Sequence, residues 1–130
     1  MKRNFLYISE SNDAHVNMAT DEWFLKYVKD GDLILHFYQN ENAVIIGKGQ
    51  NPWVECDLPK MEREGVQLAR RLSGGGAVYH DMGNLNFTII ADAEKNSVDL
   101  SVYKQRRHPS RCLRLIFGFV PLTKTDISAT

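Results

Sequence analysis

Between Arg70 and Asp81 the sequence reads RRLSGGGAVYHD, with two arginines, three consecutive glycines and a histidine inside one short stretch. Three glycines in series remove every Cβ from a turn, so successive backbone N–H groups can converge on one concavity and a ligand can approach the main chain closely. Arg71, just upstream, carries a fixed charge on a donor fork suited to phosphate or carboxylate. Together these groups read as an anion cradle. The plainer alternative is a flexible turn, but flexible linkers are rich in serine and polar residues and are not bounded by apolar strands with arginines at the rim. Two familiar phosphate loops are excluded. No Gly-Lys-Ser/Thr follows the glycines, as a Walker loop requires, and the spacing is not that of GxGxxG.

His80 stands four residues after Gly76 and two after Val78, so in a strand the three share a face. No second histidine, cysteine or carboxylate sits at metal-ligand spacing, so no metal site is expected, and a histidine in a strand is by default a hydrogen-bonded structural residue. His15, His36 and His108 suggest no chemistry. Asp81 and Asn84 bracket Met82-Gly83 and read as turn formers. Trp53, after Pro52, falls in a loop where it either walls an apolar pocket or closes the core over a sheet. Cys56 and Cys112 form neither a CxxC pair nor a disulfide framework and read as buried free thiols.

The elements that must position these residues are legible as follows. Asn17–Lys29 carries Met18, Leu25 and Val28 at near-helical spacing, with Ala19, Trp23 and Phe24 widening the stripe, Asn17 as N-cap and Gly31 as the stop. Leu33–Gln39 and Ala43–Lys48 are rich in β-branched and aromatic residues around Asn40-Glu41-Asn42, which predicts an antiparallel hairpin. Asp57 before Leu58-Pro59, with Gly65 at the end, marks a short helix, and Val66–Arg71 a strand. A second hairpin is expected over Ala77–Asp81 and Leu85–Ile90, with the glycine loop joining two strands.

At 130 residues the chain has room for one domain, expected to span 1–130 and to bury about two-thirds of its unfolded surface. Its 16 basic and 16 acidic residues cancel, so net charge argues for neither nucleic acid nor membrane binding. The short apolar run at Phe5–Ile8 suits neither a signal peptide nor a membrane span, and a cytoplasmic location is expected.

RRLSGGGAVYHDMGNLNFTI resembles the signature of the A-type lipoate–protein ligases, IIGKGQNPWVECD resembles their Ile-Gly-x-x-Gln-Asn-Pro-Trp-x-Glu segment, and NMATDEW their first-helix Asn-Leu-Ala-x-Asp-Glu. The resemblance covers about Phe5 to Gln105. It implies an α+β architecture, the biotin/lipoate ligase fold, with a mixed, mostly antiparallel sheet flanked by helices and a distant kinship to class II synthetases. It also implies a reaction in which lipoate and ATP, with Mg2+ on the nucleotide, give lipoyl-adenylate, whose acyl group passes to a lysine of a lipoyl domain. The implied carriers are the 2-oxoacid dehydrogenase complexes and the glycine cleavage H protein. By the same resemblance Arg71, Gly76, Ala77, Val78 and Tyr79 border ATP and the adenylate, while Arg71, Ser73, Gly75 and His80 line the lipoate site, with Asn84 and Asp126 as further members. An octanoyl or lipoyl transferase using a cysteine thioester and a non-catalytic lipoate-binding remnant are the competing readings.

Residues 106–130 depart from the family pattern. Pro109 falls where a helix is expected after Val102–Gln105, and Thr123–Ile127 stands where Gly-Arg-Asn-Asp-Ile would fall. The family's lysine in Lys-[Ile/Phe]-Ser-Gly has no counterpart, the only lysines after the motif being Lys95, Lys104 and Lys124. The fold is therefore expected to be incomplete at the C-terminus, as a fragment or frame-altered product of a ligase gene or as a short protein needing a second chain, and Leu113–Phe119 to lie by an open sheet edge that invites association.

Overall fold

The computed structural model describes residues 2–29, 31–92, 105–108 and 111–121. Asp126 and the three late lysines lie outside them, as does Pro109. The elements run β1 (Asn4–Ile8), α1 (Ala14–Tyr27), β2 (Leu33–Tyr38), β3 (Ala43–Ile46), α2 (Pro52–Glu55), α3 (Leu58–Arg63), β4 (Gln67–Arg70), β5 (Val78–His80), β6 (Asn84–Asp92), β7 (Gln105–His108) and β8 (Arg111–Pro121). No helix among the described residues is long and apolar enough to cross a membrane.

The α+β, mostly antiparallel expectation holds, with the strands divided between two sheets. One has the order β1-β2-β6-β8-β7 and the other β4-β3-β5. Among the described strands β1/β2 and β3/β4 pair parallel and the other pairs are antiparallel. Helix α1 packs across both sheets, against β4, β2 and β6. One apolar cluster, Ala14, Met18, Tyr38, Ala43, Ile45 and Ala69, joins the start of α1 to the small sheet. A second, Leu25, Val28, Ile34 and Ile90, joins its end to the large one.

Both expected hairpins are corrected. β2 and β3 do not pair, nor do β5 and β6; each short link carries the chain from one sheet to the other. In the first link the Asn40 side chain is fully buried and Asn42 takes φ 44°, while the Glu41 amide bonds the Asn12 carbonyl at 3.0 Å. In the second, Asp81 accepts from the Gly83 amide at 2.7 Å and Asn84 accepts from the Asp81 amide at 3.1 Å, so both are the turn formers expected. Local composition marks where a chain turns, but whether flanking strands pair is decided by what lies beside them.

Helix α1 starts earlier than its apolar stripe suggests. Asp13 is the N-cap, accepting from the amides of His15 and Val16, and Asn17 is turned inward instead. A short helix, α2, replaces the loop expected around Trp53, capped by Asn51 with Pro52 in its first turn. Helix α3, with its Asp57 cap, and strand β4 fall as expected. Where the family pattern has a helix after Gln105, the described residues pair as β7 and β8. β8 lies between β6 and β7, so Arg114–Ile116 is paired on both sides and is not at a sheet edge, whereas Phe117–Phe119 runs past the end of β7 and pairs with β6 alone among the described strands.

Candidate functional site

The site is built where β3 separates its two neighbours. β4 and β5 flank β3, so the glycine loop must cross over its end, next to the Gly47–Gln50 turn that leaves β3. Two consecutive arginines lace the two loops. Arg70 Nη1 donates to the carbonyls of Gly47, Lys48 and Gln50 at 3.1, 3.1 and 2.7 Å. Arg71 donates to the carbonyls of Ile45, Gly74 and Gly76 at 3.0, 3.0 and 2.7 Å, and through Nε to Ser73 Oγ at 3.2 Å. Its backbone amide meets the Ile46 carbonyl, and the Lys48 amide meets the Ser73 carbonyl.

The glycines answer to different needs. Gly75 has φ 102°, open to glycine and strained for other residues. Gly47, outside the triple glycine, is required by approach: a Cβ there would sit 2.1 Å from the Gly75 carbonyl oxygen. A Cβ on Gly74 or Gly76 would meet nothing within 4 Å, and residues 74–79 are exposed.

The arginine lacing also orients the peptides. Among the described residues all peptide bonds are trans, and in a planar trans peptide the N–H points opposite to the C=O. With the Gly74 and Gly76 carbonyls drawn onto Arg71, the amides of Gly75 and Ala77 point away from it, and neither bonds to another described residue. The result is a pair of backbone donors turned away from the guanidinium and without a partner among the described residues, groups able to meet an anion. Burial lowers Arg71 from the usual guanidinium value, with Tyr38 opposing.

Of the other residues singled out from sequence, Ser73 and His80 are buried beside the loop. Val78 and Tyr79 pair with Ile45 and Val44, and the Tyr79 hydroxyl donates to Asn42 Oδ1 at 2.9 Å. Asn84 donates to Asn86 Oδ1 at 2.9 Å. His80 accepts at Nδ1 from Asn40 at 3.0 Å, and burial with the nearby charge of Arg71 pushes it down to about 4, against the pull of Asp81. Trp53 does not close the core, being 78% exposed. Cys56 is a half-buried free thiol, and Cys112 lies in β8.

Sequence reasoning missed three things. Gly47 and Arg70 are structural halves of the same loop pair. His36, given no role, is fully buried, bonding Asp21 Oδ1 at 2.7 Å, while Thr88 donates to Asp21 Oδ2 at 2.8 Å. Burial pushes the Asp21 carboxyl up, and the His36 and Thr88 contacts pull it back. The signal was present: Asn17 and Asp21 lie one turn apart on the α1 face that carries Met18 and Leu25, and His36 shares the alternation of Ile34 and Tyr38.

The mixed α+β fold carries an arginine-laced glycine loop across the end of a small sheet, beside a buried histidine, and its family follows from comparison. The chain belongs to the lipoyl protein ligase A/B catalytic domain family, whose model matches residues 13–113. It is 45% identical over 94 residues to the lipoate-protein ligase A of Bdellovibrio bacteriovorus, covering 72% of this chain and 28% of that protein. It is 47% identical over 96 residues to the human mitochondrial lipoyl amidotransferase, covering 73% of this chain and 26% of that one. The chain thus spans about a quarter of the length of these relatives. A crystal structure of a lipoate-protein ligase A bound with ATP is 36% identical with TM-score 0.62, over 78% of this chain and 40% of the other. The bipartite lipoate protein ligase of Thermoplasma acidophilum, studied with its E2 lipoyl domain, is 26% identical with TM-score 0.67, over 98% and 64%.

Proposed function

We propose that this chain is the acyl- and nucleotide-binding part of an ATP-dependent lipoate–protein ligase. A lipoate carboxylate oxygen attacks the α-phosphorus of ATP and pyrophosphate leaves; a lysine amine of a lipoyl domain then attacks the acyl carbon of lipoyl-adenylate, forming the amide as the acyl–phosphate bond breaks and AMP and a proton leave. The observation that carries this reading is the loop held open by Arg71, with the Gly75 and Ala77 amides turned outward. Two anions must meet for the first step, and preorganised N–H donors backed by a cation both position them and stabilise the charge that develops. In this reading Arg71, Gly76, Ala77, Val78 and Tyr79 border the nucleotide, and Ser73, Gly75 and His80 the lipoate, Arg71 acting chiefly through the loop it shapes. The described residues contain no cluster of His, Cys, Asp or Glu able to hold a metal. Magnesium would arrive on the nucleotide's own phosphates.

The ATP-bound relative and the E2 lipoyl domain of the archaeal system support the substrates and the carrier. The H protein as a second carrier and a cytoplasmic location belong to the same proposal. A second reading, a lipoyl transferase that receives an already activated acyl group, is favoured by the human amidotransferase at 47% identity. The two separate in one assay of the chain with lipoate and magnesium-ATP. Lipoate-dependent release of pyrophosphate supports the ligase. Tight binding of a non-hydrolysable lipoyl-adenylate mimic without pyrophosphate release supports the transferase, and failure to bind lipoate, ATP or the mimic overturns both.

A further inference from the structure

A chain of side-chain amides runs from the start of α1 to His80, and its direction is forced. Asn17 Nδ2 donates to the main-chain carbonyls of Ser11 at 2.9 Å and Gln39 at 3.3 Å. Carbonyls only accept, so that end of the Asn17 amide must be the nitrogen. The Ser9 hydroxyl donates to the oxygen at the other end, at 2.6 Å. Asn17 Nδ2 also reaches Asn40 at 2.8 Å, and the Asn40 atom facing it must therefore be the oxygen. The remaining Asn40 group, Nδ2, lies 3.0 Å from His80 Nδ1 and can only donate, which leaves Nδ1 without a proton. Asn17 and Asn40 are both fully buried, so no water competes to turn either amide around.

We propose that Asn40 is a positioning residue that holds His80 as its neutral Nε2–H tautomer, so that His80 offers the acyl substrate a single fixed N–H donor for a carboxylate or carbonyl oxygen. Nδ1 is occupied, and Nε2 already carries the proton, so the ring has no free lone pair with which to act as a base. Nε2 bonds to none of the described residues, which leaves that donor available. Burial and Arg71 keep the ring uncharged, and Asp81 opposes them without prevailing. A donor set in place before binding needs no reorganisation when negative charge gathers on the acyl oxygen. The acyl-substrate part of this inference rests on the proposed function; the tautomer does not.

The test begins with the unmodified chain. Long-range proton–nitrogen correlation spectra, with the His80 signals assigned by their loss in His80→Gln, should show a protonated Nε2 and an unprotonated Nδ1, unchanged between pH 7.5 and pH 5.5. Asn40→Ser should give a mixed-tautomer pattern, and lipoate affinity should fall by about tenfold, the loss of one hydrogen bond. An Nδ1–H or averaged pattern in the unmodified chain overturns the role of Asn40, whatever the variants do. A fixed Nε2–H tautomer with lipoate affinity unchanged in both Asn40→Ser and His80→Gln overturns the donor role and removes His80 from the proposed lipoate site.

Discussion

Replacing Gly47 by alanine is the sharpest perturbation of the loop pair, because it adds one methyl group at the point where the two loops touch. The new Cβ would lie 2.1 Å from the Gly75 carbonyl oxygen, 3.1 Å from its carbon and 3.2 Å from its nitrogen. All three are main-chain atoms, so no side chain can swing aside, and the oxygen would have to move by about 1 Å to reach the closest contact a real Cβ tolerates. Overpacking of this kind costs about 1–3 kcal/mol. The displaced peptide adjoins the Gly74 and Gly76 carbonyls that Arg71 holds at 3.0 and 2.7 Å, so the outward amides should lose their alignment as well. Gly76→Ala is the control: its Cβ meets nothing within 4 Å, and stability should change by no more than about 0.5 kcal/mol. Urea denaturation measures the first effect, and calorimetric titration with a non-hydrolysable lipoyl-adenylate mimic the second. Gly47→Ala should weaken both stability and mimic binding, whereas Gly76→Ala should weaken binding alone. A Gly47→Ala chain with native stability and unchanged affinity would refute the claim that close main-chain approach builds the site.

Two further outcomes test the buried polar groups. Asp21→Ala strands His36 Nδ1 and the Thr88 hydroxyl in the core, and each orphaned group costs about 1–3 kcal/mol, so the urea midpoint should fall sharply while Asp21→Asn loses less. Equal stability of Asp21→Ala and the parent chain would contradict the network. His80 has a folded value of about 4, below the ordinary 6.5, so between these values the unfolded chain binds a proton that the native state does not. Its contribution is complete above about pH 6.5 and drains away as pH falls, at up to about 1.4 kcal/mol per pH unit. Denaturation from pH 7 to pH 5 should therefore be steeper for the parent chain than for His80→Gln; parallel curves would show that His80 titrates normally.

What the sequence determined by itself is whatever depends on neighbours along the chain. The Asp57 cap and the Gly65 stop frame α3 as read, and the residues of β2, β3, β4 and β6 show the composition expected of strands. The triple glycine with its arginines and His80, read with the upstream motifs, was enough to reach the family, because the backbone demands of the loop are written in consecutive residues. Tertiary structure alone decided the rest. It sent β2 and β3 to different sheets, since the polar side chain of Asn40 is buried between Asn17 and His80 and not spent on a tight turn. It turned Asn17 from a surface cap into an internal anchor, its place at the helix end taken by Asp13. It brought Gly47 against Gly75 and His36 against Asp21, partners 28 and 15 residues apart whose need for one another no local pattern carries. Periodicity records which side of an element is buried; the identity of the group it meets there is fixed only when long-range packing removes water and forces each buried donor to find an acceptor.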